Sequence, residues 1–176
     1  VTHEVASKGY GLLFKHMFGA VAITTPGGAT NTRDQTFTIA DPWNLSLTTQ
    51  KGVPRQFGVP SNVDPFSYLG TKITEWGISN SVDALLLLAL TLDAQDETLA
   101  QALAATSFPA GQELLSFVGG QITIAGANED VMNFSLQRSS GQKTDRRYLR
   151  NSQLKKQPII ANYSDLTGSL TMDYEA

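Results

Sequence analysis

The chain has 176 residues, a formal net charge of −3 and no cysteine. The missing cysteines exclude disulfide bonds, thiolate nucleophiles and cysteine zinc sites. Charged residues make up 16% of the chain, low against ~25% in average globular proteins, and the slight acidic excess gives no bulk attraction to nucleic acid or anionic membranes. No apolar run approaches the ~18 residues that a membrane helix requires. The length predicts a single domain over residues 1–176.

The first part of the chain opens with a polar segment, residues 1–8, which we expect to be an N-terminal arm. The segment GYGLLFKHMFG, residues 9–19, has apolar side chains at helical spacing and ends in glycine, so it predicts a short helix. A cluster of Pro, Gly and Asn at residues 25–31 predicts a turn. Alternation of apolar and polar residues then predicts strands at residues 35–39 and 45–49.

Residues 51–69 contain three prolines and two glycines, a composition that argues against a single regular element. We therefore predict a long loop over these residues. Loops of this length are uncommon inside a domain and usually serve a function, so this one is expected to contact a partner.

Residues 70–94 predict two strands separated by a short polar break, and the second strand is apolar on both faces. Strands in a two-layer sheet normally alternate, because one face meets the core and the other meets water. The second face of this strand therefore needs a cover, from the same chain or from another copy. Alternation directs one set of side chains toward the core: Thr74, Trp76, Ile78, Leu86, Leu88, Leu90 and Leu92.

The C-terminal half continues the pattern of short elements. A helix is predicted at residues 95–106, because Asp96 can cap it and Leu99 and Leu103 are four residues apart. About eight strands with one or two flanking α-helices predict a mainly β fold, a β-sandwich or small barrel. The further strands cover residues 121–125, 131–137 and 166–174, with extended pieces at 146–150 and 158–163.

The chain offers little for catalysis or for cofactor binding. His3 and His16 are its only histidines, and no G-x-S-x-G elbow accompanies them. Asp93, Asp96 and Glu97 lie close in sequence but lack the spacing of a calcium-binding loop. We therefore expect no enzyme activity, no metal site and no cofactor.

Basic residues are concentrated in one C-terminal segment, where Asp145 is the only acid among them. This concentration predicts contact with a partner protein, and a solvated face or a nucleic-acid site are the alternatives. Nucleic-acid readers usually interleave aromatic residues for stacking, whereas only Tyr148 lies here. The segment holds seven of the thirteen basic residues: Arg138, Lys143, Arg146, Arg147, Arg150, Lys155 and Lys156.

Several segments resemble the major tail tube proteins of long, non-contractile-tailed bacteriophages, the siphophage major tail protein family. The strand pair GTKITEWGISNSVDALLLLALTLDAQDE, residues 70–97, carries much of the likeness. The run FVGGQITIAG, residues 117–126, and the strand VMNFSLQ that follows it also match. So do RYLRNSQLKKQPI, residues 147–159, and the terminal strand LTGSLTMDYE. The resemblance covers most of the chain.

This resemblance implies a structural virion protein of the phage tail. Members of the family fold as a β-sandwich flanked by a helix, close into rings of six copies, and stack these rings into a tube that delivers the genome. The implied partners are the protein itself and other tail proteins such as the tape measure, tail terminator and distal tail proteins. DNA passes through the lumen without specific binding, no membrane is involved, and assembly takes place in the host bacterial cytoplasm.

The resemblance also distributes roles along the chain. A DNA conduit needs small, polar or acidic side chains, and Glu75, Ser79, Thr91 and Asp93 are the lumen candidates, with Thr171 and Asp173 as further ones. Leu85 and Leu87 are expected at the seam between subunits. The seven basic residues are expected to face a neighbouring subunit or ring, where they would meet acids such as Asp96, Glu97, Glu129 or Asp130. Arms across ring interfaces are expected from residues 25–31 and 51–69.

Two other functions remain open on sequence grounds. One is a virion decoration or host-attachment module, a β-sandwich that binds its ligand through residues 51–69. The other is a glycan-acting enzyme that uses two carboxylates, Glu75 and Asp93, although nothing in the sequence positions such a pair.

Overall fold

The computed structural model describes residues 1–28, 32–55 and 63–173. The predicted mainly β fold is confirmed. One α-helix, α1 (Gly11–Phe18), is present among the described residues, and it is not long and apolar enough to cross a membrane. The strands are β1 (Thr2–Glu4), β2 (Gly19–Thr24), β3 (Asp34–Ile39), β4 (Leu47–Pro54), β5 (Val63–Ser81), β6 (Leu87–Asp93), β7 (Asp96–Thr98), β8 (Ile122–Ile124), β9 (Ala127–Glu129), β10 (Val131–Ser139), β11 (Gln142–Lys143), β12 (Ile159–Ile160) and β13 (Asp165–Met172).

The main sheet is antiparallel and has the strand order β1-β6-β5-β10-β13. Strand β5 is 19 residues long and belongs to two groups of strands. Its first half pairs with β4 and β7, and its second half pairs with β6 and β10. The two halves meet at Gly70, which has φ +61, a left-handed conformation that residues with a Cβ rarely adopt.

One face of the main sheet is apolar and is covered by α1 together with the β2–β3 hairpin. The ring of Phe18 in α1 lies 5.3 Å from that of Trp76 in β5, and the ring of Phe14 lies 5.6 Å from that of Phe37 in β3. The inward alternation predicted for residues 70–94 agrees with this packing, because all seven side chains are buried or half-buried. The buried core consists of Val5, Met17, Ile73, Trp76, Leu88 and Leu90.

The predicted helix at residues 9–19 is confirmed, including its end at Gly19. Gly19 has φ +100, and a Cβ at this position would lie 2.2 Å from the carbonyl oxygen of Ala40. Only glycine fits both the backbone angle and the space, so the chain leaves the helix and enters β2 at this residue.

The helix predicted at residues 95–106 is wrong. Residues Asp96–Thr98 form β7, which pairs with β5, and residues 99–106 are exposed and belong to neither a helix nor a strand. The side chain of Gln50 explains part of the missing helix. Its amide nitrogen donates to the carbonyl of Ala102 at 3.0 Å, and its amide oxygen accepts from the N–H of Ala104 at 2.8 Å. These tertiary bonds use backbone groups that a helix would pair internally.

The loop predicted at residues 51–69 is also wrong over the residues described. Strand β4 continues to Pro54 and β5 begins at Val63, so the segment forms most of a long hairpin, and residues 56–62 lie outside the described part. Pro65 fits within β5 because β7 pairs only with Ser67–Leu69, which leaves one side of β5 open at Pro65. Proline is tolerated where its missing N–H faces no neighbouring strand.

Two smaller expectations need correction. The expected arm, residues 1–8, is instead bound along the sheet: β1 pairs with β6, and Val5 and Ala6 are buried. The extended piece expected at residues 146–150 is not a strand, while the one at 158–163 contains only the short β12. The turn expected at 25–31 is seen at Gly27 and Gly28, and residues 29–31 lie outside the description.

His16 makes the stability of this fold sensitive to acid. Its imidazole is buried in α1, and burial lowers its pKa below the ordinary 6.5, helped by the charges of Lys15 and Lys72. A lowered histidine pKa favours the neutral ring in the folded state, so its contribution to stability is full above the unfolded pKa and is lost as pH falls below it. We expect the free energy of unfolding to fall between about pH 7 and 5, by at most ~1.4 kcal/mol per pH unit from this group.

Urea unfolding of the unassembled protein across this pH range measures the effect. His16→Gln removes the titrating group, so its stability curve should be flatter than that of the parent, while replacement of the exposed His3 by Gln serves as the control. Equal slopes for the parent and His16→Gln would contradict the assignment.

Candidate assembly surfaces

The second face of the main sheet is polar. Strand register places the outward side chains in rows that cross the sheet, such as Ser169, Ser135, Ser79 and Leu87. The hydroxyl oxygens of Ser135 and Ser169 lie 2.8 Å apart, which shows that the members of a row project from the same side. We call this surface the polar face; it comprises Thr2, Glu4, Glu75, Gly77, Ser79, Leu87, Ala89, Thr91, Asn133, Ser135, Gln137, Ser139, Asp165, Thr167, Ser169 and Thr171.

The charges on the polar face have one sign. Its ionisable side chains are the carboxylates of Glu4, Glu75 and Asp165, and no lysine or arginine stands among its residues. An open depression of about 440 Å³ lies on this face and is bordered by Glu75, Thr91 and Asp165. A surface of this kind offers no ion pair to a polyanion.

The structure brings three of the four lumen candidates together. Glu75, Ser79 and Thr91 all lie on the polar face, and the hydroxyl of Thr91 donates to the Glu75 carboxylate at 3.3 Å. Asp93 is set apart at the end of β6, where its carboxylate forms an ion pair with Lys155 and its side chain is 19% exposed. Thr171 also belongs to the polar face, whereas Asp173 follows the end of β13.

Leu85 and Leu87, the two residues expected at a seam between subunits, lie in different surroundings within the subunit. Leu85 lies before β6, forms a bridge with Ser116 and is half-buried, so the cover comes from the same chain. Leu87 is exposed on the polar face, between Ser79 of β5 and Glu4 of β1. It therefore lies within the sheet, between two paired strands, and not at a free strand edge.

Strand β13 forms one lateral edge of the main sheet. Among the described residues it pairs with β10 alone, and every one of its residues is exposed. The other side of the strand carries apolar side chains that no described residue covers fully: Leu166, Leu170 and Met172. An unpaired strand edge with exposed apolar side chains is a surface suited to association with another chain. Sequence analysis predicted the strand but missed its position at the edge.

Six of the seven basic residues lie together, and one does not. Arg138 pairs in register with Trp76, so it points into the core, where it is 7% exposed and donates to the carbonyl of Met17 at 3.1 Å. It is therefore not part of a surface patch. The other six belong to residues 143–156, which we call the basic loop.

The basic loop is held in shape by its own side chains. The guanidinium of Arg146 donates to the carbonyl of Gln157 at 2.5 Å, and that of Arg150 donates to the carbonyl of Leu154 at 2.6 Å. The ring of Tyr148 is flanked by Arg146 and Lys156, and its hydrogen bond with Arg146 lowers its pKa below the usual value. The ion pair between Lys155 and Asp93 fixes the loop against the end of β6.

Beyond these contacts the basic loop is open to solvent. The side chain of Leu149 at its tip is fully exposed between Tyr148 and Arg150. A fixed basic loop with an apolar tip is suited to docking on an acidic surface that also offers apolar contacts.

The comparisons with known proteins agree with the geometry. A protein-family model described as phage tail tube protein matches residues 1–176, the whole chain. No curated protein matches the chain. Because the family match spans the entire sequence, the chain belongs to the phage tail tube protein family.

Proposed function

We propose that six copies of this tail tube protein close into a ring through the edges of the main sheet, and that stacked rings form the conduit for genome delivery. The observation that carries the proposal is a polar face that has carboxylates but no lysine or arginine among its residues, on a sheet that ends on both sides in exposed strands. The family match supports a structural role in the virion tail and not an enzymatic one.

The strand edges support closure through β13 and β1. These two strands stand at opposite ends of the strand order, so a second copy can add its β1 beside the β13 of the first. Repetition of a head-to-tail contact closes a ring when the rotation permits it. Closure would pair the edge of β13 and cover Leu166 and Leu170, which removes an aggregation hazard from each copy.

The polar face supports a lumen. In a closed barrel one side of the sheet faces inward, and the side that we place there bears hydroxyls and the carboxylates of Glu4, Glu75 and Asp165. Because no residue of the polar face is a lysine or an arginine, passing DNA would form no ion pairs there through its phosphates. Leu87 would lie in the lumen as its one large apolar side chain.

The dimensions of such a barrel suit a duplex. The five strands β1, β6, β5, β10 and β13 from each of six copies give ~30 strands, and with ~4.8 Å between strands and a tilt of ~40° the barrel is roughly 60 Å across. This diameter leaves a channel wide enough for double-stranded DNA once the short side chains of the polar face are included.

Other tail proteins would complete the assembly. The tape measure, tail terminator and distal tail proteins are the partners that we propose at the lumen and at the two ends of the tube. Assembly of the virion tail would take place in the cytoplasm of the bacterial host.

Electron microscopy of the purified protein tests the proposal. We expect negative-stain images to show rings or tubes with an open channel, and sedimentation to show a shift from subunits to large species as concentration rises. A stable monomer or trimer under every salt and concentration condition would contradict it and favour a decoration or attachment module.

A further inference from the structure

We propose that the rings stack through opposite charges at the two ends of the main sheet, with the basic loop of one copy docking on the acidic end of a copy in the next ring. This inference rests on the proposed ring, because it concerns the surfaces that ring closure leaves free. It also gives the stack a direction, since the two surfaces are different.

The strands of the main sheet define the two ends. At one end lie Lys72, Asp93 and Ser139, and from this end the chain leaves β10 to form the basic loop. Lys155 pairs with Asp93 there, which places the loop at this end in space as well as in sequence. At the other end lie the turn after Ser81 and the end of β13 at Met172.

The end at Ser81 is acidic and apolar. We call it the acidic end; its carboxylates are Asp83, Glu129, Asp130 and Asp173, all exposed, and its exposed apolar side chains are Val82, Met132 and Met172. The N–H of Val82 bonds the carbonyl of Met132 at 3.0 Å, so the turn and the start of β10 are in contact.

Cations are scarce around the acidic end. Residues 73–137 contain neither lysine nor arginine, and neither do residues 157–176, so the strands that meet at this end supply acids alone. Lys8 lies toward this end, and its ammonium group donates a hydrogen bond to the carbonyl of Ala110 at 3.1 Å.

Stacking of closed rings in one orientation brings these two ends together. A sheet that closes into a barrel through its lateral edges presents its strand ends at the two rims. Rings stacked in one orientation then place the basic loop of each copy against the acidic ends of the next ring, where positive and negative charges and apolar side chains complement one another. Asp96 and Glu97 are not the acids engaged, because β7 belongs with the basic loop to the same end and lines the same cleft.

Charge reversal in the loop tests the inference. Arg150→Glu should give single rings in place of tubes, with tube content at least about tenfold lower, because each loop then places an acid against acids. Leu149→Asp should act in the same way and, because the Leu149 side chain is fully exposed, leave the subunit fold intact. Arg33→Glu is the matched control, since it makes the same charge change on an exposed arginine outside both surfaces.

A compensating variant identifies the partner surface. Adding Asp130→Arg to Arg150→Glu should restore tubes, because the exchanged charges again attract. Tubes of wild-type length from Arg150→Glu, arrest as monomers instead of rings, or failure of the double variant to restore tubes would each overturn the inference. If the wild-type protein forms neither rings nor tubes, it is the proposed function that fails.

Discussion

Leu170→Asp should leave the subunit folded and abolish ring formation. Leu170 lies on the apolar side of β13, is 47% exposed, and stands at the free edge where a second copy is proposed to pair. A carboxylate there would be buried without a partner on association, which costs several kcal/mol per subunit contact. Charges that point inward from an edge strand are also what keeps natural sheets from pairing. Sedimentation should therefore show monomers with native circular dichroism.

Thr171→Asp is the matched control, because Thr171 is the next residue of the same strand but projects from the polar face. It should assemble like the parent, since it adds one more carboxylate to a surface that already carries three. Rings from Leu170→Asp, or monomers from both variants, would show that β13 does not form the contact by its apolar side.

Leu88→Ala should destabilise the subunit by ~2–5 kcal/mol. Leu88 is fully buried in the core cluster formed with Val5, Trp76 and Leu90, so its removal leaves a cavity as well as losing apolar burial. Urea unfolding in the monomeric Leu170→Asp background measures the change without interference from assembly.

Leu87→Ala provides the comparison for this substitution within one strand. Leu87 precedes Leu88 but projects from the polar face, where it is 38% exposed, and its truncation should cost less than ~1 kcal/mol. The same substitution should leave tubes intact in the wild-type background. Similar losses for the two variants would contradict the assignment of faces in β6.

Much of the main sheet could be predicted from alternation. The inward positions of Trp76, Leu88 and Leu90 followed from the period of two, and so did the strand that became β13. The same period predicted that Glu75 and Thr91 share a side, because each alternates with a core residue. Alternation could not predict which strand lies at the edge of the sheet, because strand pairing depends on contacts between residues far apart in sequence.

The errors have definite physical causes. The segment after Asp96 has a helical pattern, but the amide of Gln50, more than fifty residues earlier in the chain, binds the backbone of Ala102 and Ala104. Pro65 signalled a loop, yet it sits where one side of β5 is open. The sequence predicted Arg138 in a basic surface segment, but it pairs in register with Trp76 and its guanidinium lies under α1. Each case is a tertiary contact that overrides a local preference.

The continuity of β5 has a mechanical consequence. Its first half belongs to the β4–β5 hairpin and its second half to the main sheet, so the two regions share one covalent backbone through Gly70. A push or twist applied to the hairpin is therefore transmitted to the main sheet along that backbone, without passing through side-chain contacts that could slip. In the proposed tube, the hairpin and the sheet would behave as one elastic unit, and strain in the hairpin would be carried directly into the channel lining.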